Sequence, residues 1–530
     1  MMNTDVTSTV TPISELAQGT DRLREFLDTD PYAEASGSGE PHVGPDPFTG
    51  TEQPRFTANT TGDVDRAFAS ARIAGRAWAA RSPEHRSRVL LRLHSALRRH
   101  EDLLLDIVQY ETGKARIHAY DEILDTYNVC RHYGVTTPAR LRPQRRRGAV
   151  PGLTRTEVTR TPLGVIGFIT PWNYPLTLGA TDLFAALAAG NAVVHKPDSQ
   201  TTLTAIIMRR LAIACGLPAE VWQLVPGQRG DVGPALMAGA DGLSFTGSTA
   251  AGRSIAAEAG RRLLPTALEL GGKNPMLVLS DADLGSAVDG AVRGCFSSAG
   301  QLCLSIERIY VHEDLYSEFC AHFAEATRNL ELSADYSYGP GMGSLAGPKQ
   351  LARVSEHVEQ ARASGAQVIA GGRPVPELGP YFYLPTVLTG VSEAAELFAE
   401  ETFGPVVAVY PVASDAEAIA RANDCQYGLN ASVYSRSQGL ETARQVEAGM
   451  VNVNEAYVAA WGSIDAPAGG VKASGLGHRH GVEGLYQFMH THSIAEQHLV
   501  PIAPFGPLDQ SRFARTLTTA FDLMRALRMK

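Results

Sequence analysis

The sequence predicts an α/β fold in which helices cover parallel sheets, organised in two or three domains. Short apolar runs alternate with helical segments from about residue 158, and a second series of the same kind begins after Cys303. Strands that alternate with helices form parallel sheets with helices on both faces. A chain of 530 residues is also too long for one simple core.

The first part of the chain is predicted to be helical. Residues 63–118 carry apolar side chains at helical spacing, beginning with Val64, Phe68 and Ala71. The basic, proline-containing stretch 140–147 indicates a solvated connection, with a polyanion site as the alternative.

The strands and helices of the two series follow from runs of apolar residues. Strands of the first series are predicted at 164–169, 192–194, 221–225, 242–245 and 275–279, with helices near 178–189 and 201–214. The second series has strands at 308–311 and 367–370 and helices near 314–330 and 347–364. Ligands bind at the carboxyl ends of strands in such sheets. The last segment, 506–530, has apolar and basic faces, so it either docks on protein or lies on a membrane surface.

Composition excludes several classes of function. A net charge of −9 argues against nucleic-acid binding, which needs a basic field. The six cysteines form no CxxC pair, which favours a reducing, cytoplasmic setting. Neither a signal peptide nor an apolar run of membrane-spanning length is recognisable. The pairs His478/His480 and His490/His492 are weak metal candidates, and we expect no metal site.

Two segments offer a nucleophile and a base. Cys303 follows the small-residue loop Ser297-Ser298-Ala299-Gly300, which leaves its sulfur accessible, and Glu269 precedes Gly271-Gly272. A thiol and a carboxylate are sufficient for covalent catalysis followed by hydrolysis.

Together with four further motifs, these segments resemble the aldehyde dehydrogenase superfamily over about residues 40–500. The further motifs are Thr170-Pro171-Trp172-Asn173-Tyr174-Pro175, His195-Lys196-Pro197-Asp198-Ser199, Phe245-Thr246-Gly247-Ser248 and Glu401-Thr402-Phe403-Gly404-Pro405. The resemblance implies a Rossmann-type cofactor domain, a second α/β catalytic domain and a small β extension for oligomerisation. The implied bounds are 1–36 for an N-terminal tail, 37–148 and 164–298 for the cofactor domain, 299–487 for the catalytic domain, 149–163 and 488–500 for the oligomerisation strands, and 501–530 for a C-terminal extension.

The resemblance also implies the catalytic roles. Cys303 would attack the aldehyde carbon, and Asn173 with the Cys303 backbone N–H would stabilise the oxyanion. Hydride would leave for a nicotinamide, and Glu269 would activate the water that hydrolyses the thioester. Lys273 has no firm assignment. A silent structural relative would lack Cys303, Glu269 or Asn173, and all three are present.

Cofactor contacts follow in the same way. Lys196 would face the adenosine ribose, and Gly247 and Ser248 would begin a helix whose N-terminus meets the pyrophosphate. Glu401 would hold the nicotinamide ribose, with Phe403 beside the ring. Thr170 and Trp172 would line the site. Many NAD-using relatives have Glu where this chain has Ser199. Because Ser199 does not repel a 2′-phosphate, NADP is preferred to NAD, with use of both as the alternative.

The substrate is inferred from a narrower resemblance within the superfamily. The segments 196–201, 305–311, 427–433 and 477–481 resemble NADP-linked succinate-semialdehyde dehydrogenases of the second type. A carboxylate tail favours an arginine fork in the pocket. Other succinate-semialdehyde dehydrogenases place arginines shortly before the nucleophile and after the Pro-Trp-Asn motif. The matching positions in this chain are Ser297 and Thr181, which cannot form such a fork. The loop with Tyr457, Trp461 and Ser463 is predicted to shape the tail pocket, and its aromatic character makes a medium-chain or aromatic aldehyde the alternative. The family's pairing of small β extensions implies a homodimer or homotetramer, with Thr154–Thr161 as an exposed strand awaiting a partner.

Overall fold

The computed structural model of the protein describes residues 19–150, 153–506 and 508–528. The described residues up to Pro138 and Pro162–Phe488 form one compact unit, the main unit, and the described residues within Ala139–Thr161 and from Met489 onward form a second, the small unit. The helices are Asp21–Leu27, Thr61–Ala79, Pro83–Arg99, Glu101–Thr112, Arg116–Arg140, Pro175–Ala189, Thr202–Ala214, Arg229–Gly239, Thr249–Arg262, Leu284–Phe296, Glu313–Arg328, Pro348–Ala363, Glu396–Ala399, Asp415–Asn423, Gly439–Ala443, Val458–Trp461, Gly481–Tyr486 and Gln510–Ala526. Short 3-10 turns span Pro31–Ala35, Ser199–Thr201, Ala219–Val221 and Ser297–Gly300.

A six-stranded sheet in the main unit carries most of the first series. Its strands, in spatial order, are Gly475–Leu476, Thr266–Glu269, Gly242–Thr246, Val165–Ile169, Ala192–Lys196 and Trp222–Leu224. The first pair is antiparallel and the other pairs are parallel. Strands such as Ala192–Lys196 are buried on both faces, as continuous apolar runs predict.

A seven-stranded sheet forms the second half of the main unit. Its spatial order is Gln367–Ala370, Thr386–Thr389, Val406–Val412, Ile306–His312, Asn274–Val278, Asn430–Tyr434 and Met450–Val453, parallel except for the first pair. The run 275–279 therefore belongs to this sheet. The sequence predicts that it continues the first series, and that prediction is wrong. The chain changes sheets at Gly271-Gly272, well before the predicted boundary at 298/299. Two small antiparallel pairs, Pro41–Pro45 with Glu52–Thr57 and Tyr427–Gly428 with Val471–Lys472, complete the main unit.

Several predictions for the first part of the chain need correction. The helical region 63–118 is divided into separate helices by short connections, such as the one at Ser82, whose hydroxyl caps the helix Pro83–Arg99. The predicted tail 1–36 contains the helix Asp21–Leu27 and the turn Pro31–Ala35, while residues 1–18 of that tail lie outside the described residues.

The small unit contains a three-stranded sheet in the order Met489–Gln497, Thr154–Pro162, Gln144–Arg147, followed by the helix Gln510–Ala526. Thr154–Pro162 is therefore a central strand that is already paired on both sides, which corrects the prediction that it awaits a partner. The stretch 140–147, predicted as a connection, ends in an edge strand, where charged residues are well tolerated. Of the predicted helix 506–530, residues 507, 529 and 530 lie outside the described residues.

Candidate active site

Cys303 lies in the loop between the turn Ser297–Gly300 and the strand Ile306–His312. Ser298, Ala299 and Gly300 all have positive φ, between 51° and 68°, so the chain reverses sharply just before the cysteine. A Cβ at Gly300 would lie 2.1 Å from the Gly404 carbonyl oxygen. Only glycine allows this close approach, which packs the cysteine loop against the segment after Phe403.

Two cavities meet at Cys303. One, of about 500 Å³, includes Tyr174, Tyr457 and Trp461 in its lining, and the other, of about 540 Å³, includes Asn173 and Glu269. Cys303 and Leu178 line both. As a residue, Cys303 is intermediate between buried and exposed, and it contributes to the walls of both cavities.

Glu269 ends a strand of the six-stranded sheet and lines the second cavity together with Cys303. Burial raises the pKa of Glu269 to about 8, and the charge of Arg479 acts in the opposite direction. The carboxyl group therefore changes from acid to base just above neutral pH, as a general base requires.

Burial also raises the pKa of the Cys303 thiol to about 12, again against the effect of Arg479. Because the thiolate is the nucleophilic form, nearby positive charge is needed to activate it at neutral pH.

Asn173 is held in place from two sides. Its side-chain amide donates to the Gln301 carbonyl at 3.0 Å, and Lys114 Nζ donates to the Asn173 carbonyl at 2.7 Å. Lys114 is paired with the buried Glu122. The Glu122 carboxylate accepts backbone N–H bonds from Leu176 and Thr177, at the start of the helix that follows Asn173. The side-chain amide has a second N–H, and Asn173 lines the cavity that contains Cys303.

The second cavity also contains most of the predicted cofactor residues. Trp172 and Phe403 meet edge to face with ring centroids 5.5 Å apart, and Gly247 and Ser248 precede the helix Thr249–Arg262. Glu401 accepts a backbone N–H bond from Gly272 at 3.1 Å. These groups fit a nicotinamide dinucleotide: the helix N-terminus would meet the pyrophosphate, Glu401 the ribose hydroxyls, and the aromatic pair the ring.

Thr170, Lys196 and Ser199 lie at or just after neighbouring strand ends and not in the lining of that cavity. Thr170 is bonded to His195 through side chains at 2.8 Å, and Ser199 begins a 3-10 turn. They share the carboxyl edge of the six-stranded sheet with Gly247, which is where such sheets bind nucleotides.

Lys273, which the sequence leaves unassigned, supports the loop that contains Glu401. It forms a buried ion pair with Glu307. The Glu307 carboxylate accepts the backbone N–H groups of Thr402 and Phe403, both at 2.9 Å. Phe403 has φ of 57°, so this anchor stabilises an unfavourable backbone conformation.

The first cavity has the aromatic lining that the sequence predicts, with one exception. Tyr457 and Trp461 line it, whereas Ser463 is exposed and donates its hydroxyl to the Ala459 carbonyl. Two carboxylates that we had not predicted, Asp121 and Asp125, lie in its lining. Burial raises the pKa of Asp121 to about 6 and that of Asp125 to about 7. Among the described lining residues, Arg131 is the one arginine or lysine.

Thr181 and Ser297, where the resemblance led us to look for an arginine fork, make hydrogen bonds within their own segments. The Thr181 hydroxyl donates to the Thr177 carbonyl, and the Ser297 hydroxyl donates to the Arg293 carbonyl.

Comparison with known proteins decides the family. The model for the aldehyde dehydrogenase family matches residues 35–494. The chain belongs to the aldehyde dehydrogenase family. A relative from Mycolicibacterium smegmatis, named "Putative succinate-semialdehyde dehydrogenase" with NADP(+), is 47% identical over 459 residues, covering 86% of this chain and 89% of the relative.

Solved structures confirm the fold class. This aldehyde dehydrogenase is similar to an Escherichia coli NADP-dependent enzyme, with a TM-score of 0.84, 31% identity, and coverage of 89% of this chain and 99% of the other. It is also similar to the NAD+ complex of an aldehyde dehydrogenase from Bacillus cereus, with a TM-score of 0.83, 32% identity, and coverage of 87% and 94%. Within the described part of this aldehyde dehydrogenase, every helix is too short or too polar to cross a membrane.

Sequence reasoning missed the buried ionisable residues around the site, namely Lys114, Glu122, Asp125, Glu307 and Arg479, and the half-buried Asp121. Lys114 and Arg479 lie in connections and the others in helices or a strand, and spacing alone gives no sign that any of them is shielded from solvent. The one available signal was the position of Glu307 and Arg479 inside segments that carry the family resemblance.

Proposed function

We propose that this aldehyde dehydrogenase oxidises an aldehyde to the carboxylic acid through a covalent adduct on Cys303, with NADP+ as the hydride acceptor. The observation that carries the proposal is the position of Cys303 between two cavities, one of which also contains Glu269. The first cavity would admit the aldehyde and the second the nicotinamide.

The residues have distinct tasks in this reaction. The Cys303 thiolate attacks the carbonyl carbon, and the Asn173 amide with the Cys303 backbone N–H binds the oxyanion that forms. NADP+, when bound, accepts the hydride, which leaves an acyl group on the sulfur. Glu269 then takes a proton from water, the water attacks the acyl carbon, and the carbon–sulfur bond breaks to release the acid.

The choice of NADP+ rests on Ser199. A carboxylate at this position would repel a 2′-phosphate, and a hydroxyl does not. The relative from M. smegmatis has NADP(+) in its name, which points the same way. We expect NAD+ to be accepted less well.

Succinate semialdehyde is the first candidate substrate, because the M. smegmatis relative is named for it. A medium-chain or aromatic aldehyde is the second candidate, favoured by the first cavity. Its lining has Tyr174, Tyr457 and Trp461, and the carboxylates of Asp121 and Asp125 would repel a substrate carboxylate.

The test is NADPH formation by the purified protein, followed by absorbance, with succinate semialdehyde, hexanal and benzaldehyde. NADP+ and NAD+ are compared in parallel, and Cys303→Ala serves as the control. Higher kcat/KM for succinate semialdehyde supports the first candidate, and higher kcat/KM for hexanal or benzaldehyde the second. Absence of Cys303-dependent turnover with every aldehyde would overturn the proposed function.

A further inference from the structure

Arg479 is a buried arginine beside the catalytic residues that none of the steps above uses. Its side chain is almost fully buried, and it lines neither cavity. Its backbone is bonded to Ala468 in both directions, at 2.9 and 2.6 Å. A buried guanidinium is costly unless carboxylates and other acceptors compensate it, so its partners indicate its role.

Two groups hold the guanidinium in place. Asp182 Oδ2 lies 3.3 Å from Arg479 Nε, and the Thr246 hydroxyl accepts a hydrogen bond from the guanidinium. Thr246 is the register partner of Glu269 in the adjacent parallel strand. Because paired residues of neighbouring strands project to the same face of a sheet, Arg479 is fixed on the side of the sheet that carries the Glu269 carboxylate.

The segment that leads to Arg479 also encloses Glu269. Gly475 pairs with Glu269 across the antiparallel edge of the six-stranded sheet. A Cβ on Gly469, next to Ala468, would lie 3.2 Å from Glu269 Oε1. The same chain segment therefore covers the base and supplies the buried cation.

Several charges act on the two reactive groups. Arg479 lowers the pKa of Glu269, while burial and Asp182 raise it. Arg479 also lowers the pKa of Cys303, while burial, Glu401 and Glu269 raise it. Burial opposes the charge of Arg479 itself, but Asp182, Glu269 and Cys303 together raise its pKa, so it stays a cation.

We propose that Arg479 is a positioning residue of the reaction: Asp182 and Thr246 hold its guanidinium as a fixed positive charge on the side of the sheet that carries Glu269, whose cavity also contains Cys303, without contact with the substrate. The proposal rests on the catalytic roles given above to Cys303 and Glu269. The proposal goes beyond those roles, because it identifies the buried Arg479 cation as a group that activates the thiol before any cofactor binds.

The test measures alkylation of Cys303 by iodoacetamide as a function of pH, with mass spectrometry to identify the labelled cysteine. In Arg479→Met we expect the rate at pH 8 to fall about tenfold, which corresponds to a rise of about one pKa unit. The increase of kcat with pH should move to higher pH, with little change in KM. Arg479→Lys should restore the alkylation rate to within about threefold of the wild type, because the charge returns.

Two further variants separate this role from a structural one. Asp182→Asn leaves the Arg479 charge less compensated, so alkylation should become faster at neutral pH, whereas a merely loosened site predicts no increase. Arg86→Met removes another buried arginine, whose Nε donates to the Ala188 carbonyl near the C-terminal end of the helix Pro175–Ala189, which also contains Asp182. We expect it to lower the melting temperature without moving the pH profile of alkylation.

The proposal would be overturned if folded Arg479→Met had the same pH profile of Cys303 alkylation as the wild type, or if Asp182→Asn were alkylated no faster than the wild type. Alkylation requires no aldehyde oxidation, so this result is independent of the NADPH assay that tests the proposed function.

Discussion

At the scale of single residues, Asp125 is the side chain with the clearest consequence for substrate choice. Asp125 contributes to the wall of the first cavity, its two carboxylate oxygens are buried, and burial raises its pKa to about 7. It is therefore mostly neutral at pH 6 and mostly ionised at pH 8. An ionised carboxylate in the wall repels a substrate that also carries one.

We therefore predict that KM for succinate semialdehyde increases several-fold between pH 6 and pH 8, while KM for hexanal stays nearly constant. Asp125→Asn should reduce this difference, because only the carboxylate of Asp121, with a pKa of about 6, then remains to repel the substrate. Steady-state kinetics of both aldehydes with one enzyme preparation provides the check. An identical pH dependence for the two substrates would show that the charge of Asp125 does not act on the substrate tail.

The sequence was enough to select the candidate catalytic residues, but it was not enough to predict their burial and raised pKa values. Cys303, Glu269 and Asn173 stand in motifs of small and rigid residues, and the fold brings all three to one cavity. The raised pKa values depend on burial by distant segments, such as the one that ends in Arg479. A local pattern contains no information about that burial.

At the scale of elements, the buried pair Lys114 and Glu122 fixes the segment that carries Asn173. Lys114 binds the Asn173 carbonyl, and Glu122 caps the following helix through two backbone N–H groups. We predict that Lys114→Met lowers the free energy of unfolding by about 3–5 kcal/mol, because it leaves a buried carboxylate unpaired. It should also lower kcat, because Asn173 loses an anchor.

The double variant Lys114→Met/Glu122→Gln distinguishes these two effects. Removing the charge of Glu122 as well should recover part of the stability, since no unpaired buried charge remains. It should leave kcat low, because nothing replaces the Lys114 contact with Asn173. Urea unfolding and NADPH formation measure the two quantities, and recovery of full kcat would contradict the positioning of Asn173 by Lys114.

The sequence predicted which segments are helices and strands, but it predicted only some of the strand pairings. The buried run 165–169 reads as a strand because it is apolar throughout, and it is one. The run 275–279 has the same character, so nothing local distinguished the seven-stranded sheet from the six-stranded sheet. Likewise, Thr154–Pro162 alternates as an exposed strand does, but its two neighbours come from segments far apart in the chain.

At the scale of the whole molecule, the three-stranded sheet is the candidate surface for self-association. Its edge strand Met489–Gln497 is exposed at almost every position, and Ile494 is half exposed. An exposed edge strand can pair with another chain, and a charged side chain on it opposes such pairing. We propose that this edge joins the subunits of a homodimer or homotetramer.

We predict that Ile494→Lys shifts the protein toward a monomer at micromolar concentration. Light scattering after size-exclusion chromatography measures the molar mass, and Glu496→Gln is a control that changes the charge of the same strand by the same one unit without adding a charged side chain. If the mass of Ile494→Lys equals that of the wild type across a dilution series, the subunits associate elsewhere.

The central claim is that Cys303 carries the acyl group and Glu269 releases it, and intact-protein mass spectrometry tests it most directly. Glu269→Gln is mixed with NADP+ and the best aldehyde, and the mass is read within seconds. We predict that the acyl group accumulates on Cys303, together with about one NADPH per subunit, because hydrolysis of the thioester needs the base. Cys303→Ala/Glu269→Gln should remain unmodified. Accumulation on another cysteine, or steady turnover by Glu269→Gln at the wild-type rate, would contradict this account.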